Sequence, residues 1–207
     1  MINKDTKLFG SFSRLAGNVG CTFFNSRFQK WGIDAIYKSY SITNIEEAVC
    51  AARCLNFSGF AVSMPYKSDV IKYVDKMSTA VENIGASNTI VNDNGVFIAY
   101  NTDYVAAYEV LHSCQTKLFI LGKGGYAKAV VQAARDLNLS YEMITRETWA
   151  DIEEIRESTI FNCTPVKGLK TNPSNKFIDC DVGSPTGQML AHLQATKQFK
   201  LYTGIEL

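Results

Sequence analysis

Three short polar segments in the first half of the chain each adjoin an apolar stretch: Ser63-Met64-Pro65-Tyr66-Lys67, Gly85-Ala86-Ser87-Asn88-Thr89 and Asn101-Thr102-Asp103. Lys67 and Asp103 bring opposite charges to them. Beside an alcohol carbon, such a charge pair can take up or supply the hydroxyl proton while a hydride moves to a nicotinamide ring. In open α/β sheets, ligands bind beyond the carboxyl ends of the strands. Polar residues that follow buried-looking strands are therefore site candidates. Taken singly, each of these residues reads more simply as a cap or a surface charge, and the case for a site rests on their occurring together.

A second chemical signal lies at Leu118-Phe119-Ile120-Leu121-Gly122-Lys123-Gly124-Gly125-Tyr126-Ala127. An apolar run enters G-x-G-x-x-A, and a helical pattern follows. Gly122 permits the tight turn, Gly124 lets a diphosphate approach the backbone, and Ala127 allows close helix–strand packing. The N–H groups at the helix start then face the anion. The alternative is a plain structural turn, but the flanking strand and helix favour dinucleotide binding. About twenty residues on, the next strand ends at Thr145-Arg146. The Arg146 cation suits a 2′-phosphate, which favours NADP over NAD, although Glu147 stands beside it.

These residues need a scaffold that alternates strands and helices. In the first half the pattern predicts a strand stub at 7–10, a helix over 22–31 and a strand over 35–40. A helix capped by Thr43 or Asn44 follows to about Leu55, then a strand over 60–63 and a helix over 68–74. Asn94-Gly95 between β-prone segments 89–91 and 96–100 is a hairpin signal. In the second half the pattern predicts strands at 118–121, 142–145, 159–162, 177–179 and 201–202, with helices over 126–137, 149–156 and 186–196. Such alternation means βαβ units and mostly parallel sheets. The expected organisation is two α/β domains with a cleft between them, 1–103 for a small hydroxy acid and 104–207 as a reduced Rossmann-type domain.

Composition narrows the alternatives. The 207 residues are 46% hydrophobic and 20% charged, which is ordinary for a globular chain. Residues 1–102 hold 10 basic and 8 acidic side chains and the remainder 11 and 12, so neither half offers nucleic acid a basic field. The six cysteines form no CxxC, and the two histidines lie far from any cysteine pair. Reduced thiols are therefore expected and a metal site is not. The amino terminus has no apolar signal core and no apolar run is long enough to span a membrane, so the expected compartment is the cytosol. Nothing in the sequence specifies an oligomeric state.

Taken together, the motifs resemble the shikimate dehydrogenase family. Gly59-Phe60-Ala61-Val62-Ser63-Met64-Pro65-Tyr66-Lys67 resembles its G-F-N-V-T-x-P-x-K, Gly85 to Thr89 its G-A-x-N-T, and Asn101-Thr102-Asp103 its N-T-D. Leu121 to Ala129 resembles its L-G-x-G-G-x-x-x-A, Thr145-Arg146 its N-R pair, and Asn162-Cys163-Thr164-Pro165 its N-A-T-P near the nicotinamide. The resemblance implies Lys67 and Asp103 as the catalytic pair, and Ser63, Asn88 and Asn18 as substrate-binding residues. It implies Gly122, Gly124, Gly125, Ala127, Thr145, Arg146 and Thr164 as contacts of NADP. The implied reaction interconverts 3-dehydroshikimate and shikimate, or a related cyclic hydroxy acid.

The chain also departs from the family pattern. Asn18-Val19-Gly20-Cys21 occupies the place of the family's substrate-binding S-x-S-P, with Ser11 and Ser13 nearby and Arg14 an alternative carboxylate partner. The stretch between Arg146 and Phe161 is too short for the usual extra helix. The family's C-terminal helix, with its substrate-binding glutamine, is expected to be missing. These departures leave a second reading open: a divergent paralogue that binds ligand or cofactor with little or no turnover.

Overall fold

The computed structural model of the chain describes residues 2–207. Two compact units emerge, Met1–Thr102 with Ala195–Leu207 and Asp103–Gln194. Both are mixed α/β, as the alternating pattern predicts.

The first unit holds β1 (Lys7–Ser13), α1 (Val19–Lys30), β2 (Ala35–Ser41), α2 (Ile45–Cys54), β3 (Gly59–Val62), β4 (Lys76–Met77), α3 (Thr79–Ile84), β5 (Thr89–Asp93) and β6 (Val96–Tyr100). Its six strands run in the order β2-β1-β3-β5-β6-β4. β1 pairs parallel with both β2 and β3, and β5 pairs antiparallel with β3 and β6. Side chains alternate along a strand, so Phe9 and Phe12 of β1 face opposite sides. Phe12 enters a cluster with Phe57, Phe60 and the α2 residues Ala48, Val49 and Ala52. Phe9 joins Phe24 and Phe28 of α1. Burial on both faces explains why β1 runs well past the expected stub at 7–10. Its later part alternates serine with phenylalanine, and Ser11 donates to the Ser39 hydroxyl across the pair at 3.0 Å.

Local signals set several boundaries. The Asn44 side chain accepts from the Glu46 and Glu47 N–H groups and so caps α2. Asn94 and Gly95 both take positive φ, and β5 and β6 form the expected hairpin. The predicted helices over 68–74 and 149–156 are instead single 3₁₀ segments, Val70–Tyr73 and Trp149–Glu154.

The second unit contains β7 (Leu118–Leu121), α5 (Gly125–Asp136), β8 (Tyr141–Ile144), β9 (Thr159–Asn162) and β10 (Lys176–Asp179). These strands form one parallel sheet in the order β10-β9-β7-β8. Helix α4 (Thr102–Leu111) opens the unit, and Ala106, Ala107 and Leu111 pack with Leu118, Ile120 and the apolar face of α5. A Rossmann-type sheet of four strands matches the expected reduced architecture.

The carboxyl-terminal region corrects two expectations. Leu201 and Tyr202, read as a strand, lie in α6 (Pro185–Thr203), a helix of 19 residues. The helix read over 186–196 therefore runs on to Thr203. Ala195, Phe199 and Tyr202 recur at helical spacing, and the polar run Thr196-Lys197-Gln198 interrupts the apolar pattern between them. Phe199 is fully buried among Phe9, Phe24 and Phe28, and the Tyr202 ring lies 4.9 Å from that of Phe9. These contacts assign Ala195–Leu207 to the first unit, whereas the sequence reading ran the second domain to 207. Among the described residues, no helix is long and apolar enough to cross a membrane.

Candidate active site

In the first unit the candidate residues stand on loops that follow or precede β3, β5 and β6. Ser63 comes directly after β3, and its N–H donates to the Phe12 carbonyl at 2.9 Å. The loop then turns through a cis Met64–Pro65 bond. Tyr66 is buried and its hydroxyl donates to the Ile42 carbonyl at 2.8 Å. Lys67 follows, half-buried, and its carbonyl accepts from the Ser87 N–H at 2.8 Å. Two of the three polar segments are thus tied together through their backbones.

The third segment is held by side chains. The Asn88 carboxamide oxygen accepts from the Thr102 N–H at 2.8 Å and from the Thr89 hydroxyl at 2.9 Å. Its nitrogen donates to the Thr102 hydroxyl at 2.9 Å. Asn101 donates from its side chain to the Ala86 carbonyl at 2.9 Å. Asn88 is 3% exposed and Thr102 1% exposed, so this clamp lies in the interior. It fixes the first turn of α4, where the next residue, Asp103, sits 5% exposed. A carboxylate in a first helical turn is favoured by the dipole of the backbone N–H groups.

Sequence reasoning missed Gln198. Its side-chain nitrogen donates to the Thr89 hydroxyl at 2.8 Å and to the Asn88 carbonyl at 3.3 Å, and the residue is 3% exposed. The one available signal was a polar residue beside the core position Phe199.

The place of the absent serine motif is also distinctive. Asn18 is exposed at the N-cap of α1 and makes no side-chain capping bond. Cys21 lies with its sulfur 3.2 Å from the Ser39 hydroxyl, the same hydroxyl that receives the Ser11 bond. Burial pushes the neighbouring Tyr37 hydroxyl far up from its ordinary value, while a hydrogen bond with Ser11 acts in the other direction. Ser11, Ser39 and Tyr37 of the β1–β2 pair thus converge with Cys21 of α1. Arg14 is exposed, and its N–H donates to the Met64 carbonyl at 3.3 Å.

In the second unit the glycine turn is shaped by backbone. Gly122 has φ +97°, and a Cβ there would lie 2.8 Å from the Thr164 methyl carbon. Only glycine suits both demands. Gly124 is the N-cap of α5, supplies no side chain to the cap, and a Cβ on it would meet nothing within 4 Å. The first N–H groups of a helix have no intrahelical acceptors, so this end suits an anion. Gly125 begins α5 and Ala127 is fully buried.

Around the turn, Thr164 donates to the Asn162 side-chain oxygen through both its N–H (3.0 Å) and its hydroxyl (2.7 Å). Thr145 follows β8, and its hydroxyl donates to Glu147. Arg146 is exposed. That Thr145 bond is the main reason the Glu147 carboxyl lies below its usual range, and the charges of Lys123 and Arg146 add to it. Tyr126, the second residue of α5, has its hydroxyl pushed well above the usual value by burial and then by the nearby Asp103.

Comparison with known proteins gives consistent results. Residues 19–90 match the model of the shikimate dehydrogenase substrate binding domain. The chain is 41% identical over 140 residues to the shikimate dehydrogenase-like protein of Haemophilus influenzae, an alignment covering 66% of this chain and 52% of that protein. It is 35% identical over 136 residues to the shikimate dehydrogenase (NADP(+)) of Pyrococcus furiosus, covering 63% of this chain and 50% of that one. These alignments span about half the length of either relative. The solved structure of a shikimate 5-dehydrogenase-like protein superposes with a TM-score of 0.84 at 31% identity, over 100% of this chain and 95% of the other.

Proposed function

This chain belongs to the shikimate dehydrogenase family, and from that premise we propose that it is an NADP-linked alcohol dehydrogenase acting on shikimate or a related cyclic hydroxy acid. The reaction is the reversible oxidation of a ring hydroxyl to a ketone. Bound NADP would supply the hydride acceptor.

The chain's own residues handle the proton and the binding. Lys67 and Asp103 take up the hydroxyl proton as the alcohol becomes a ketone, and return it in the reverse direction. Asn88 orders the start of α4 and so orients Asp103, and with Ser63 it serves the substrate's other hydroxyls. Asn18 belongs to the same substrate-side group. The glycine turn fits a dinucleotide. Gly124 leaves room for a diphosphate, Gly122 and Thr164 pack too closely for any side chain between them, and Gly125 and Ala127 start a helix without a capping side chain. Thr145 and Arg146 lie where the adenosine ribose is expected, and Arg146 would grip its 2′-phosphate. The Pyrococcus furiosus relative is named for the same cofactor.

The observation that carries this reading is a pair of neighbouring ties: the Ser87 N–H donates to the Lys67 carbonyl, and the side chain of the adjacent Asn88 accepts from the N–H of Thr102, next to Asp103. A buried, satisfied polar network rigidifies the segments it joins, and here it fixes the loops that carry Lys67 and Asp103. A substrate screen tests the reading. NADPH formation followed by absorbance with shikimate, quinate and related hydroxy acids should reveal one strongly preferred substrate.

One observation favours a second reading, in which ligand is bound with little or no turnover. Asn18-Val19-Gly20-Cys21 stands where the family has its serine motif, with the Cys21 sulfur against Ser39, so carboxylate recognition would differ here. Tight binding of shikimate by calorimetry without NADPH formation would select that reading.

A further inference from the structure

We propose that Cys163 and Cys180 are an oxidation site, a dithiol that closes to a disulfide between the carboxyl ends of β9 and β10. The two strands pair in parallel with Phe161 opposite Ile178 and Asn162 opposite Asp179. The next pair in register is Cys163 opposite Cys180, and the Cys180 N–H continues the ladder by donating to the Asn162 carbonyl at 3.1 Å. Neighbouring strands lie roughly 4.8 Å apart, inside the roughly 4.4–6.8 Å that a disulfide needs between Cα atoms.

The thiols also share a face. Side chains two apart on a strand point the same way, so Cys163 follows Phe161 and Cys180 follows Ile178, and those two are members of one core cluster. Both thiols bear electrostatically on the Tyr126 hydroxyl, whose ring lies 6.2 Å from that of Phe161. Cys163 and Cys180 stand one residue beyond the ends of β9 and β10, where a small local adjustment brings the Cβ atoms to the roughly 3.8 Å of a disulfide. Both are half-buried rather than sealed. The other four cysteines lack this arrangement. Cys114 is buried, Cys21 lies against Ser39, and Cys50 and Cys54 are exposed on α2.

A peroxide is the oxidant class that suits two adjacent, reachable thiols. One thiolate attacks a peroxide oxygen, the O–O bond breaks, and a sulfenic acid and water form. The second thiolate then displaces the sulfenic oxygen as water and the S–S bond forms. Two thiols and one hydrogen peroxide give one disulfide and two waters, and a dithiol reductant reverses the step.

The site adjoins the glycine turn. The Cys163 carbonyl oxygen lies 3.7 Å from where a Gly122 Cβ would stand, and the Cys180 thiol donates to the Thr164 carbonyl at 3.9 Å. Closing the disulfide pulls this thiol from Thr164 and shifts the segment packed on Gly122. On the proposed reading of that turn, NADPH affinity then falls several-fold.

The test uses the full chain carrying Cys50→Ser and Cys54→Ser, which removes the exposed thiols. After hydrogen peroxide, alkylation and digestion, mass mapping should find Cys163 joined to Cys180, with the link lost on dithiothreitol treatment. Cys180→Ser in the same background should abolish the link and leave Cys163 open to alkylation once dithiothreitol has reduced its sulfenic acid. Recovery of both cysteines as thiols or as sulfinic acids, with no cross-link, would overturn the proposal. NADPH titration by fluorescence checks the consequence. An oxidised, cross-linked protein that binds as tightly as the reduced one refutes the coupling. A protein that binds NADPH in neither state contradicts the proposed function, and the mass map still decides the disulfide.

Discussion

The two units present polar groups at strand ends by opposite means. In the first, side chains are buried and hydrogen-bonded to one another: Asn88, Thr89, Thr102 and Gln198 form a linked set below 5% exposure. In the second, the groups that matter are backbone N–H groups at the start of α5, and the neighbouring Arg146 is exposed. The difference teaches which changes separate function from stability. In the first unit, the position of the candidate residues and the stability of the fold share the same hydrogen bonds, and removing one disturbs both. At the glycine turn of the second unit, a Cβ on Gly124 meets open space, so a side chain there disturbs little packing.

The largest expected effect tests the substrate side at its two charged residues. Lys67→Ala removes the proton donor, and Asp103→Asn removes the negative charge but keeps a carbonyl acceptor. Steady-state assays should show turnover lower by roughly 10²-fold or more for each, with NADP affinity nearly unchanged. Wild-type turnover in either variant would remove that residue from the mechanism.

Next come two glycines, which set the contrast within the turn itself. Gly124→Val should abolish NADP binding in a calorimetric titration at the cost of only about 1 kcal/mol of stability, because its Cβ enters open space and the loss is that of a poorer N-cap. Gly122→Ala should instead cost about 1–3 kcal/mol in urea denaturation, since it combines φ +97° with a 2.8 Å contact. Undiminished NADP affinity in Gly124→Val would make the turn purely structural.

A third variant sharpens the claim that the clamp is both scaffold and site. Asn88→Ala leaves the Thr102 N–H and the Thr89 hydroxyl without their acceptor. It should lose about 1–3 kcal/mol of stability and turnover together. Loss of stability with full activity would show that Asn88 is scaffold alone.

The smallest effect is at Arg146. Hydrogen bonds to charged groups contribute roughly 1.5–3 kcal/mol, and an exposed guanidinium belongs at the low end, about tenfold in preference for NADP over NAD. Arg146→Ala should weaken NADP and leave NAD almost untouched. Equal weakening of both would assign the ribose to Glu147 or to solvent.

What the sequence shows of all this depends on how local the cause is. The Asn94-Gly95 hairpin, the Asn44 cap and the strand–turn–helix at Gly122 are decided within a few residues, and each is legible there. The length of β1 is not, because Ser11 and Ser13 read as polar until their partners on β2 are known. α6 was broken too early at Thr196-Lys197-Gln198, since the burial of Gln198 depends on Asn88 and Thr89, more than a hundred residues earlier in the chain. The pairing of Cys163 with Cys180 likewise exists only once β9 and β10 are in register.

The measurement that bears most directly on the central claim is NADPH formation by the wild-type chain, read side by side with Asp103→Asn under saturating NADP and a panel of cyclic hydroxy acids that includes shikimate. The account predicts sustained NADPH production with at least one of them and a loss of roughly 10²-fold or more in the variant. Absence of turnover in the wild type on every member of the panel, or equal rates in the two proteins, would contradict it.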